Sequence, residues 1–278
     1  MQENKNRYIR TDLALELKDD LSKKQEMSGM EFSTGVYDDS DIVETVIRVT
    51  NERGARNLGK PIGTYITLES EKLRKSDEGI HEPFVEILQK HLKEMIQDAK
   101  CVLVLGLGNR AVTPDALGPY VVDNLYVTRH LFREGVLKHG REICALCPGV
   151  MAQTGIETLQ ILKAVCMETK PDIVIAVDAL AAREPSRLNS TIQICDTGIA
   201  PGAGVGNDRK RINEDTLGIK VIAIGVPTVI SVSAIVHQNV EELPETLASM
   251  FVTPNNIDEA VKRVSYTISE AINRLCTE

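Results

Sequence analysis

The chain has 278 residues, 42% hydrophobic and 26% charged, with a formal net charge of -8. That length is enough for one large domain or two small ones with a buried core and an internal cleft, and the acidic balance excludes broad attraction to nucleic acid or an anionic membrane surface. No stretch approaches the roughly 20 apolar residues of a membrane helix, and residues 1–10 are polar and mixed in charge, so neither anchor nor signal peptide is expected.

The first thirty residues show no firm period and are expected to be loose or partly helical. Leu13, Leu17 and Leu21 at four-residue spacing support a helix starting near Leu13, with Asp12 as its cap. Residues 43–49 and 65–68 are β-branched runs expected to pair as strands across a connection containing Gly54, Gly59, Pro61 and Gly63. Phe84, Ile87, Leu88, His91, Leu92 and Met95 recur at helical spacing after Pro83, which suits a first turn.

From Cys101 onward, short apolar strands alternate with amphipathic helices, the signature of a largely parallel sheet covered on both faces. The strands are expected at 101–105, 143–146, 173–177, 191–194 and 221–224. Leu117, Val121, Leu125 and Phe132 suggest one helix, Thr154 with Glu157 a capping box before Leu159, and Thr253-Pro254 the start of a last helix. The expected fold is α/β, with a central, mostly parallel sheet, helices on both faces and a small N-terminal β-containing region at about residues 40–70.

The six cysteines (101, 144, 147, 166, 195 and 276) lie mostly in apolar runs, as free thiols of a reducing compartment do, and a cytoplasmic location follows. Cys144 and Cys147 form a C-x-x-C on a predicted strand, but no second pair completes a zinc site, so packing is favoured over metal or redox chemistry.

Residues 102–111, VLVLGLGNRA, carry a G-x-G-x-x-A after a strand, the opening of a dinucleotide site. However, Val112-Thr113-Pro114 follows where a helix should open, and no acidic residue ends a second strand about 20 residues on. The better reading is a strand, a loop and a helix whose first turn carries Asp115. An acid there is often only a dipole partner, but Asp178 ends the apolar run 172–177, and ligands bind at the carboxyl ends of such strands. If the two strands are neighbours, both carboxylates face one crevice. Held close, they share a proton, and one serves as base while the other serves as acid, a suitable arrangement for activating water against an amide.

Residues 197–210, TGIAPGAGVGNDRK, place Gly198, Gly202, Gly204 and Gly206 in one loop that turns basic at Arg209, Lys210 and Arg211. It reads equally as a surface connection or as bare backbone N–H groups approaching a substrate chain or a developing oxyanion. The scattered histidines and the lack of a G-x-S-x-G elbow leave serine and cysteine nucleophile schemes unsupported.

The runs RTDLA at residues 10–14, GLGN, VTPDALGP, VTRHLF, PGVM, TGIET, IVIAVDALAAR, TIQICDTGI, PGAGVGN, TLGI and VIAIGVPTV cover nearly the whole chain. With them it resembles the germination endopeptidases of spore-forming bacteria, which degrade small acid-soluble spore proteins. The resemblance implies cutting after an acidic residue and before an apolar one followed by alanine, with Asp115 and Asp178 as catalytic carboxylates. It also implies a cytoplasmic precursor that trims its own N-terminus and assembles as a homotetramer. In Thr11-Asp12-Leu13-Ala14 the matching bond is Asp12–Leu13, making residues 1–12 propeptide-like and 13–278 a single peptidase domain.

A cation near the acidic residue is expected, with Arg183 and Arg209 as candidates beside Gly202, Gly204 and Gly206. Two departures from the family stand out: a long segment before the last helix is shortened here to the stretch between Val229 and Val252, which weakens the tetramer expectation. Alanines 200 and 203 also replace an expected His and Ser. The fold is similar to that of the hydrogenase maturation endopeptidases, which use a metal at their acids. With no histidine obviously placed to complete such a site, a metal-free acid pair without cofactor is expected. The rivals are a metal-dependent maturation peptidase and a non-catalytic ligand-binding regulator.

Overall fold

The apolar runs of the sequence become the interior of one sheet. In the computed structural model, which describes residues 10–24, 27–75, 77–206, 209–236 and 243–276, the strands are β1 (Met30–Tyr37), β2 (Ile42–Val49), β3 (Gly63–Glu69), β4 (Cys101–Gly106), β5 (Glu142–Leu146), β6 (Ile173–Ala182), β7 (Thr191–Cys195), β8 (Lys220–Ser231) and β9 (Phe251–Val252). Their order is β1-β2-β3-β7-β8-β6-β4-β5, with β9 on the end of β8. The pairs β8–β6, β6–β4 and β4–β5 are parallel, and those from β1 through β8 are antiparallel.

The five helices that matter are α1 (Ala14–Lys24), α2 (His81–Ile96), α3 (Leu117–Asp123), α4 (Thr158–Thr169) and α5 (Ile257–Arg274). Side chains alternate across a strand, so β4 sends Val102 and Val104 to a core shared with α2, α3 and α5, and Leu103 and Leu105 to a second core shared with α1 and α4. Burial on both faces is why β4 and β6 read as continuous apolar runs. Ile268 and Ile272 of α5 are fully buried, and truncating either to Ala is expected to cost about 2–5 kcal/mol.

The α/β class with helices on both faces holds, and β2 pairs with β3 as expected. The sheet is mixed, however. The N-terminal strands are continuous with it through β3–β7, and β1 lies outside the expected elements. The helix expected from Leu117 to Phe132 is two pieces, α3 and Arg129–Arg133. The capping box is absent: Thr154 Oγ1 accepts from Ile156 N–H, and Glu157 caps α4 without its side chain. All six cysteines are free. Among the described residues, no helix is long and apolar enough to cross a membrane.

Two strands outrun their predicted ends. β6 continues five residues past Val177, so Asp178 lies inside the strand rather than at its end. β8 runs through Pro227, which cannot donate a ladder bond. The register with β6 shifts there: Leu180 faces Pro227 and Ala181 faces Val229, leaving Thr228 as the bulged residue. Bulges re-aim side chains, and this one turns Thr228 toward the end of β4.

Candidate active site

β4 and β6 are neighbours, so the two aspartates meet. Gly106 pairs with Val177, and Leu107 N–H donates to Val177 O at 2.8 Å, bringing the turn after β4 against Asp178. The turn is tight because Gly108 has φ +109°, and a Cβ at that position would fall 1.9 Å from Asp115 O; only glycine allows this approach. Asp115 closes the 3-10 turn Thr113–Asp115, and its Oδ2 accepts from Asn109 N–H at 2.8 Å. Helix α3 opens at Leu117, not at the glycines. The pyrophosphate-binding helix start of a dinucleotide motif is therefore missing. From β8, Thr228 Oγ1 donates to Pro114 O at 2.7 Å and holds the turn in place.

Asp115 and Asp178 line one cavity of about 440 Å³, together with Asp12, Gly202, Arg209 and Thr228. Asp178 is 5% exposed, and its Oδ1 accepts from Ala179 N–H at 3.0 Å. Burial pushes its carboxyl well above the ordinary value, and the charges of Asp115 and then Asp12 push it the same way. Burial also raises Asp115, opposed by the Asn109 N–H. Both acids are therefore held above the ordinary carboxylate value, Asp178 the more strongly.

Asp12 does not cap α1. Leu13 N–H donates to Thr11 Oγ1, Ala14 N–H donates to Gln193 Oε1, and the Asp12 carboxylate instead accepts from Ala181 N–H at 2.9 Å. Burial raises Asp12, opposed by Ala181, Lys60 and Gly204. Protonation therefore relieves its burial rather than loosening a helix cap. Lys60 Nζ donates to Asp12 O at 2.9 Å, and burial lowers Lys60.

The two candidate arginines are placed differently. Arg209 lines the cavity with its guanidinium 3.7 Å from Glu157. Arg183 faces a second cavity of about 760 Å³ and is spent on α1, where it bonds Asp20 and Glu16 O. In the glycine loop, Gly202 lines the acid cavity, Gly204 abuts the Asp12 carboxylate, and Gly206 faces Arg10. Sequence reasoning missed Asn109, Lys60, Gln193 and Thr228. Only Asn109 carried a signal, the Asn of G-x-G-N. Among the described residues, no group of three or more His, Cys, Asp or Glu side chains is placed to hold a metal ion.

A family model described as germination protease matches residues 10–247. A germination protease of Caldanaerobacter subterraneus subsp. tengcongensis is 41% identical over 95% of this chain and 93% of its own, and one of Bacillus subtilis is 46% identical over 85% of this chain and 67% of its own. The first alignment runs to 304 positions, more than the 278 residues here, so that relative carries segments without a counterpart. Among solved structures, the [NiFe] hydrogenase maturation protease HycI of Thermococcus kodakarensis is 18% identical, covering 65% of this chain and 97% of its own at a TM-score of 0.37, too low a likeness to bear on the site. A match across most of the chain, in a sequence whose β4 turn and β6 bring Asp115 and the buried Asp178 to one cavity, places the protein in the germination protease family.

Proposed function

We propose that this chain is an intracellular endopeptidase that begins the degradation of small acid-soluble spore proteins at germination, cutting after an acidic residue and before an apolar one followed by alanine. The observation that carries the chemistry is the burial of Asp178 in one cavity with Asp115. Asp178, the more strongly raised, starts with the proton, and Asp115, held by the Asn109 N–H, starts as carboxylate. Water attacks the scissile carbonyl carbon while Asp115 takes its proton and Asp178 gives its own to the carbonyl oxygen. In the collapse, Asp115 protonates the leaving nitrogen, the C–N bond breaks, and a diol hydroxyl returns its proton to Asp178. Both acids end as they began.

By the same reading the protein is made as a precursor, residues 1–12 leaving by a cut at Asp12–Leu13, and it assembles as a homo-oligomer. The entry of Asp12 into the acid cavity supports that order of events. The test is incubation of the purified chain with a small acid-soluble spore protein, followed by sequencing of the fragments and of the enzyme's own N-terminus. New ends beginning with an apolar residue and alanine after an acid, and an enzyme starting at Leu13, are the expected result. Intact substrate, with Met1 retained, would overturn the reading.

A further inference from the structure

The four residues around Asp12 are gripped as a peptide rather than packed as a helix end. Asp12 N–H donates to Ala181 O at 3.0 Å while Ala181 N–H donates back to the Asp12 carboxylate, so one backbone bond and one side-chain bond hold the segment against the end of β6. Asp12 O accepts from Lys60 Nζ at 2.9 Å and from Gln193 Nε2 at 3.4 Å. Leu13 and Ala14 are fully buried. The Gly204 backbone lies against the Asp12 carboxyl, and its N–H helps to hold that acid's value down.

Glycine is required at 204 by proximity. A Cβ there would fall 2.1 Å from Asp12 Oδ2 and 2.7 Å from the Ala181 side chain, and it is the flanking Gly202 and Gly206 that take left-handed backbone, with φ of 74° and 75°. Bare amides pointing at one spot are how backbone receives an anion. Two of them converge here on a carboxylate beside the two acids of the cavity.

We propose that Ala181 N–H and Gly204 N–H form the subsite for the acidic side chain preceding the cut, that Lys60 and Gln193 hold that residue's carbonyl, and that Asp12 fills the subsite in the intact chain. The inference rests on the peptidase reading for its meaning, but the subsite is defined by contacts that do not depend on catalysis. Lys60 stands where Arg183 and Arg209 were expected to act, and its contact is to the carbonyl of the acidic residue rather than to its side chain. Intact chain is thereby self-occupied: an acidic substrate must wait until Asp12 has left.

The experiment uses full-length chain carrying Asp178→Asn, so that self-cutting is silenced, and reads binding and exchange instead of proteolysis. With Asp12→Gly added, the peptide acetyl-Arg-Thr-Asp-Leu-Ala-amide is expected to bind at least about tenfold more tightly than the same peptide with Asn for Asp, and more tightly than to the chain that keeps Asp12. With Gly204→Ala added instead, hydrogen exchange at Leu13 and Ala14 is expected to speed up by about tenfold or more while β4 stays protected. Equal binding of the Asp and Asn peptides, or unchanged exchange in a folded Gly204→Ala chain, overturns the subsite. Selective binding in these variants, with no cutting of spore protein by the parent chain that keeps Asp178, would leave the subsite standing and remove the peptidase reading.

Discussion

The Thr228 hydroxyl donates to Pro114 O at 2.7 Å, joining the bulge of β8 to the turn that carries Asp115. Thr228 is 1% exposed, so replacing it with Val takes that donor away from the part-buried Pro114 O, at about 1 kcal/mol. Because a misplacement of about 1 Å can cost about 100-fold in rate, Thr228→Val is expected to lower kcat by at least about tenfold with KM little changed. Thr228→Ser, which keeps the hydroxyl, is expected to restore it. A Val variant with normal kcat would show that the Asp115 turn holds its place unaided.

Asp115→Asn and Asp178→Asn are each expected to lower kcat by at least about 100-fold, since neither remaining acid can serve both proton transfers. Asp178→Asn is also expected to melt higher than the parent near neutral pH, because it removes a buried acid that two others repel. Turnover close to the parent in either variant, measured on a spore-protein substrate, would dismiss the dyad.

Asp12, Asp115 and Asp178 all have raised carboxyls, with burial the leading cause in each. A raised acid holds its proton more tightly in the folded chain, so the stability from its neutral form is fully present below the unfolded value of about 4. It is lost as pH rises through the folded value. The melting advantage of Asp178→Asn over the parent is therefore expected to grow across the window that opens at about pH 4 and runs upward from there, at about 2–4 °C for each kcal/mol. Parallel melting curves across that window would mean that Asp178 ionises as an ordinary carboxylate does.

Activity is expected to survive exhaustive chelation, since the proposed proton exchange runs between two carboxylates and the described residues offer no three-ligand set. Assay of the chelated enzyme before and after addition of zinc, manganese or nickel checks this. Loss on chelation with rescue by one of those ions would favour the metallopeptidase rival.

The sequence made β4, β6 and the Asp115–Asp178 neighbourhood readable because a strand buried on both faces has only one kind of side chain to show. Its limits were equally physical. β6 past Val177 carries Asp178, three small alanines and one leucine, Leu180, a run without β-branched residues that would mark the five further residues as strand. β1 alternates Met30, Phe32 and Val36 with Glu31, Ser33 and Gly35, but Phe32 and Val36 stay exposed, so the alternation marks no buried face. Lys60 and Gln193 meet Asp12 across long sequence separations, through a hydrogen-bonded arrangement that no local spacing encodes. Asp12 itself looked like a cap because local rules see only the helix that follows it, whereas its carboxylate is taken by Ala181, far along the chain.

Asp178 sits in mid-strand, with β6 laddered to β8 on both sides of it, from Ile173 to Ala182. A side chain so placed cannot be switched by a loop swinging in or out; displacing it means tearing the sheet. Control over this centre therefore has to come from its rim, from the Asp115 turn leaning on one hydroxyl and from the segment whose Asp12 lines the same cavity. The interior acid is the anvil, and only the pieces brought to it move.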